Sequence, residues 1–81
     1  MTIIVLFFAQ AREYAGMTST VLELPEPSRV SDALAALGHA HPSLERLWPH
    51  LAVALDGQLV SPETPIHAGA ELALLPPVSG G

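Results

Sequence analysis

The sequence predicts a small α+β roll, and three observations predict it. A run of β-branched and aromatic residues opens the chain. One segment in its first half carries apolar residues at helical spacing. An Asp-Gly pair between two short apolar runs marks a hairpin, and a final apolar run stops at a diproline. The expected order is ββαββ followed by a terminal strand.

Thr2-Ile-Ile-Val-Leu-Phe-Phe-Ala9 reads as the first strand. Ile3, Val5 and Phe7 point to one side and Ile4, Leu6 and Phe8 to the other, so both faces are apolar and the strand is expected inside a sheet. Gln10 to Gly16 reads as a polar connection. Ser19 to Leu24 sets Thr20, Leu22 and Leu24 against Val21 and Glu23, the alternation of a half-buried strand. Pro25 and Pro27 end it. Ser28 is placed to open the main helix, with Asp32 at the positive end of its dipole. Val30, Ala33, Leu34 and Leu37 form its apolar stripe, and Gly38 supplies the stop. Pro42 to Trp48 reads as a short second helical segment with Leu44, Leu47 and Trp48 turned inward. Leu51 to Leu55, Asp56-Gly57 and Gln58 to Val60 form the hairpin. After a Pro/Thr-rich loop and a turn at Ala68-Gly69, Ala70 to Leu75 is the last strand. Phe7 and Trp48 are expected in the core.

With 81 residues the chain makes one domain, expected over residues 1–77, with 78–81 as a tail. At 49% apolar residues it has more hydrophobic surface than so small a core consumes, so part is expected outside, facing a partner. A net charge of −5, with Arg12, Arg29 and Arg46 as the whole basic complement, argues against nucleic acid and suits a basic protein partner. There is no cysteine, so neither disulfides nor thiolate metal sites are available. The longest apolar run is about a third of the roughly 20 residues a bilayer requires, and it lacks a basic leader, so a soluble cytoplasmic chain is expected. His39 and His41 do not share a helical face and His50 and His67 lie elsewhere, so solvated or capping roles are expected for all four. No carboxylate pair has catalytic spacing, and self-contained acid–base catalysis is not expected.

The chemistry is expected at the end of the chain. Pro76-Pro77 cannot continue a ladder and projects the chain stiffly from the last strand. Val78-Ser79-Gly80-Gly81 then tapers to bare backbone, narrow enough for a channel that admits no side chain. A carboxylate on Gly81 is an anion at neutral pH and a poor acyl donor until it is activated. No phosphate-binding glycine loop with a lysine is present, so another protein must activate it. A bare Gly-Gly alone is equally read as a frayed end or a cloning remnant; the diproline before it is what adds weight. Lysine is absent throughout, so the chain offers no side-chain amine for isopeptide conjugation.

Val5-Leu-Phe-Phe-Ala-Gln-Ala-Arg-Glu13 and Ala70-Glu-Leu-Ala-Leu-Leu-Pro-Pro-Val-Ser-Gly-Gly81 are similar to the opening and closing runs of the ubiquitin-like sulfur carriers, above all the small-subunit family of molybdopterin synthase. The resemblance spans essentially the whole chain, with Asp56 standing where an asparagine is frequent. It implies a β-grasp fold, a mixed sheet of about five strands with one main helix. It further implies that an E1-like adenylyltransferase uses ATP on Gly81, that no cofactor is held by the chain itself, and that a sulfurtransferase system converts the terminus to a thiocarboxylate. The tail would then enter a large synthase subunit, within a heterotetramer, and give sulfur to cyclic pyranopterin monophosphate. Carriers for thiamine, cysteine or tRNA thiolation and a ubiquitin-like protein modifier are the alternatives. Phe8, Leu59, Leu75 and Arg12 are the expected docking residues, with two readings open: Ile4, Leu6 and Phe8 also fit plain core, and Arg12 also fits a loop-fixing role.

Overall fold

The computed structural model describes residues 1–77. The elements are β1 (Thr2–Phe7), α1 (Gln10–Ala15), β2 (Ser19–Glu23), β3 (Ser28–Arg29), α2 (Val30–Ala40), a 3-10 helix (Pro42–His50), β4 (Ala52–Leu55), β5 (Gln58–Val60), β6 (Pro65–Ile66) and β7 (Glu71–Leu75). Five strands form one mixed sheet in the order β2-β1-β7-β4-β5. β1 and β7 are parallel, with Ile4 opposite Glu71 and Phe7 opposite Leu74. The other pairings are antiparallel.

Alternation sorts the strand residues onto two faces. Ile3, Val5 and Phe7 of β1 and Leu72 and Leu74 of β7 are buried, in one cluster with Val30, Ala33 and Leu37 of α2 and Leu44 and Leu47 of the 3-10 helix. All the helical cover therefore lies on one side. Trp48 is half-buried at the margin of this cluster rather than inside it.

Three local expectations need correction. Gln10 to Gly16 is not merely a polar connection: Ala11 and Ala15, one turn apart, are buried, and Gly16 ends α1 in a left-handed conformation at φ 75°. Ser28 does not open α2. It is buried in β3, pairs with Ile66, and its hydroxyl donates to the Pro25 carbonyl at 2.6 Å. The preceding-turn position falls to Arg29, whose backbone N–H donates to the Asp32 carboxylate at 2.8 Å. Gly38 does not stop the helix either. It is buried within α2, where an added Cβ would lie 3.0 Å from Glu45 Cγ, so its small size lets the 3-10 helix approach.

The β4–β5 loop is the expected two-residue turn, with Asp56 at φ 50° and Gly57 at φ 85°. Asp56 also stitches this turn to the start of β7. Its Oδ1 accepts the Glu71 N–H at 3.0 Å, its own N–H donates to the Glu71 carbonyl at 2.9 Å, and its Oδ2 lies 2.5 Å from His67 Nε2. The Glu71 hydrogen bond, then the one with His67, holds the Asp56 carboxyl below its ordinary 3.8. The Asp56 hydrogen bond, aided by the Ala68 carbonyl, raises the His67 imidazole above 6.5.

A raised histidine stabilises fully below 6.5 and loses its effect as pH rises through the folded value; a lowered aspartate stabilises above 3.8 and loses its effect as pH falls through its own. The pair therefore contributes most between those two values. Urea midpoints of the wild type and His67→Gln should differ most near about pH 5.5 and converge by about pH 9. A gap that does not change with pH would contradict this. In the core, Leu72→Ala should lower unfolding free energy by about 2–5 kcal/mol in the same measurement, because Leu72 is fully buried.

Candidate functional site

The parallel pairing of β1 with β7 decides where the tail leaves. Both strands finish at the same end of the sheet, so Phe8, the start of α1 and the base of the tail are neighbours there. Leu75 pairs with Ala52, the first residue of β4. Pro76 is buried and Pro77 is exposed, so the chain changes from core to surface between the two prolines. Val78, Ser79, Gly80 and Gly81, which carry the expected chemistry, lie outside the described residues.

Among the described residues, no helix lies on the second face of the sheet. Leu6, Ala73, Ala54 and Leu59 are successive register partners across four strands. Alternation puts Ile4, Val21 and Leu75 on the same side. Leu59 is 74% exposed, Val21 63% and Phe8 44%. Leu6, Ala73 and Leu75 are half-buried only by their neighbours in the sheet. The reading of Ile4, Leu6 and Phe8 as buried core is thereby excluded, since that side of β1 faces outward.

Three of the four expected docking residues share this face. Phe8 and Leu75 lie at the tail end, one step past the Phe7–Leu74 pair, and Leu59 lies two strands away on β5. Arg12 sits apart, exposed on α1, at the same end. Its backbone fixes the local loop: its N–H donates to the Ala9 carbonyl at 3.1 Å and its carbonyl accepts from Gly16 at 2.9 Å. Among the described residues its guanidinium makes no salt bridge, whereas Arg29 pairs with Glu63 at 3.2 Å.

Ile4 and Val21 belong to the open face and were not singled out as docking residues from the sequence. Their signal was the alternation itself: Val21 stands out of phase with Leu22, and Ile4 with Val5. A shallow groove of about 290 Å³ continues the face around the β5 edge, lined by Leu34, Trp48, Leu51, Val60 and Pro62 beside Leu59. No sequence pattern announced it, because it is assembled from three separate stretches of the chain. Of the histidines, His41 sets its ring edge-on to Phe7, with centroids 6.5 Å apart. Among the described residues no three His, Asp or Glu side chains gather as metal ligands, and no helix is long and apolar enough to cross a membrane.

Among the described residues the arrangement presents an apolar sheet face beside the end of β7. An exposed apolar surface of this kind is suited to contact with another protein. Comparison with known proteins identifies the family. A family model described as the ThiS family matches residues 5–81. A molybdopterin synthase sulfur carrier subunit of Chlamydomonas reinhardtii is 37% identical, with both chains covered in full. The crystal structure of SAMP1 from Haloferax volcanii superposes with a TM-score of 0.92 at 36% identity, again covering both chains completely. One chain in a complex of subunits 1 and 2 of the molybdopterin-converting factor from Helicobacter pylori 26695 superposes with a TM-score of 0.72 at 26% identity over the full length of each. By sequence and by fold, this chain belongs to the ThiS family of β-grasp proteins, among relatives that are molybdopterin synthase sulfur carrier subunits.

Proposed function

We propose that this chain is the sulfur carrier of a molybdopterin synthase and that its reactive group is the Gly81 carboxylate. The observation that carries the reading is the full-length match to the Chlamydomonas reinhardtii carrier subunit. The open apolar face beside the base of the tail supports it, because a carrier must be held by one protein and then another.

The chemistry follows from what a carboxylate lacks. It is a poor electrophile, so a carboxylate oxygen first attacks the α-phosphorus of ATP, bound by an E1-like adenylyltransferase, and pyrophosphate leaves. A sulfur nucleophile from a sulfurtransferase system then attacks the acyl carbon and AMP departs, leaving a thiocarboxylate. In the large synthase subunit the thiocarboxylate sulfur adds to a carbon of cyclic pyranopterin monophosphate to form a thioester; water then attacks the acyl carbon and the acyl C–S bond breaks, leaving sulfur on the pterin and the terminus as carboxylate, and two such transfers complete the dithiolene. Residues of this chain supply no acid or base. They supply the docking face, through Phe8, Leu59 and Leu75, and the aim, through Pro76 and Pro77. Arg12, at the same end, is placed to meet a carboxylate on the partner. Two large and two small subunits form the assembly in this reading, and the chain works in the cytoplasm.

A second reading is favoured by one observation: the Haloferax volcanii small archaeal modifier protein 1 is 39% identical over 91% of this chain. A modifier would pass the adenylated terminus to an amine of another protein instead of to sulfur.

Intact mass after incubation with an E1-like adenylyltransferase, ATP and a sulfur source separates the two. A carrier gains the mass difference between sulfur and oxygen at its terminus, while a modifier forms lysine adducts on other proteins. Removing Gly81 should abolish the gain and leave the melting temperature unchanged; a marked loss of stability would mean the tail is structural. Leu59→Asp should leave unfolding free energy within about 0.5 kcal/mol, because the side chain is exposed, yet weaken the complex with the large subunit at least tenfold, by about 1.4 kcal/mol or more. Unchanged affinity in a titration would remove Leu59 from the interface.

A further inference from the structure

We infer that the outer edge of β2 is a docking site separate from the open face, and that it takes an extended, basic segment of another protein as a sixth strand beside the five of the sheet. Such a site is independent of any chemistry at the terminus.

β2 has β1 on one side and, among the described residues, no strand on the other. Its register with β1 runs without a bulge from Thr2–Glu23 to Leu6–Ser19. Beyond the two ends of that ladder, the Phe7 N–H donates to the Thr18 carbonyl at 2.9 Å and the Leu24 N–H to the Met1 carbonyl at 2.9 Å. Hydrogen-bonded pairs alternate in an antiparallel ladder, so Thr20 and Leu22 turn their backbone groups toward β1. Ser19, Val21 and Glu23 turn theirs outward, each with an N–H and a carbonyl. Among the described residues only the Thr20 hydroxyl approaches them, donating to the Val21 carbonyl at 3.5 Å.

Sheet edges are commonly blunted by short length, proline, lysine or a bulge. The opposite edge follows that rule: β5 has three residues, and Pro62 stands two positions after it. β2 has five, Ser19-Thr-Val-Leu-Glu23, with neither proline nor a basic residue among them. Its centre is the β-branched, exposed Val21. An unblunted edge of this kind is a template for strand addition.

Charge decides between occupants. A second copy would set two chains of net charge −5 against each other. A basic strand is attracted instead. Glu23 ends β2 exposed, and the exposed Glu26 follows it. The Glu23 carboxylate accepts from the Thr2 hydroxyl, and among the described residues neither glutamate makes a salt bridge. In an antiparallel addition the residues opposite Glu23 and Val21 share one face of the sheet. The segment that fits carries a basic residue and, two positions later, an apolar one.

The probe is a cyclic β-hairpin peptide whose free strand reads Arg-Val-Ile-Thr-Thr, which sets arginine opposite Glu23 and isoleucine opposite Val21. A second probe has glutamate in place of the arginine, and a third is N-methylated at the isoleucine. Each is titrated into the isotope-labelled full chain, and amide exchange is read residue by residue. The arginine probe should slow exchange at Ser19, Val21 and Glu23 and leave Thr20 and Leu22 unchanged, an alternation that covering the open face does not produce. The glutamate probe should bind at least about fivefold more weakly, and the N-methylated one should not bind. With Glu23→Lys the preference between arginine and glutamate should reverse. No saturable binding of the arginine probe, or protection centred on Leu59, would overturn the site. Equal affinity for the arginine and glutamate probes would overturn its basic occupant. So would the same alternation appearing in the free chain as its own concentration rises, since the occupant would then be a second copy.

Discussion

The parallel pairing of β1 and β7 is the constraint on which the rest of this structure depends. It joins the two ends of the sequence in the middle of the sheet and makes both strands finish at the same edge. That places Phe8, α1 and Pro76-Pro77 together. A parallel pair requires a long connection, and the one between β1 and β7 includes α2, the 3-10 helix and the β4–β5 hairpin. Because the helices all pack on one side, the core is one-sided and the opposite side is left apolar and bare.

This asymmetry links stability to function. Ile3, Val5, Leu72 and Leu74 stabilise the fold from the covered side, and a side chain lost there leaves a cavity. Ile4, Val21 and Leu59 cost little to change as far as folding is concerned, since solvent already reaches them. An exposed set of that kind persists on a small acidic protein where another molecule covers it. Just past β7, Pro76 is buried and Pro77 is exposed.

Much of this was legible in the sequence. The strands of the sheet, the hairpin at Asp56-Gly57 and the second helical segment appear where periodicity and turn chemistry put them. The misses share a cause: each depends on a contact distant in sequence. Ser28 has the composition of a helix cap, but pairing with Ile66 draws it into β3. Gly38 has the composition of a stop, but Glu45 packs over it and the helix continues. α1 was masked by polar residues around Ala11 and Ala15, whose burial depends on the core above them. Asp56, in place of a frequent asparagine, is a departure from the family pattern at the hairpin turn. In the fold it accepts from Glu71 and meets His67, which no local pattern reveals. Of the candidate face, Phe8 and Leu59 were expected outside because one main helix covers only one side of a sheet, while the groove around Trp48 was not foreseen.

The central claim is that the terminus delivers sulfur, and a single-turnover reaction tests it most directly. Thiocarboxylated chain is mixed with the large synthase subunit and cyclic pyranopterin monophosphate, with no ATP or sulfur source, and both the product dithiolene and the mass of the spent chain are measured. The account predicts one dithiolene for every two chains consumed, each chain returning to the mass of the free carboxylate. A thiocarboxylated chain that binds the large subunit yet keeps its sulfur, with no product formed, would contradict it.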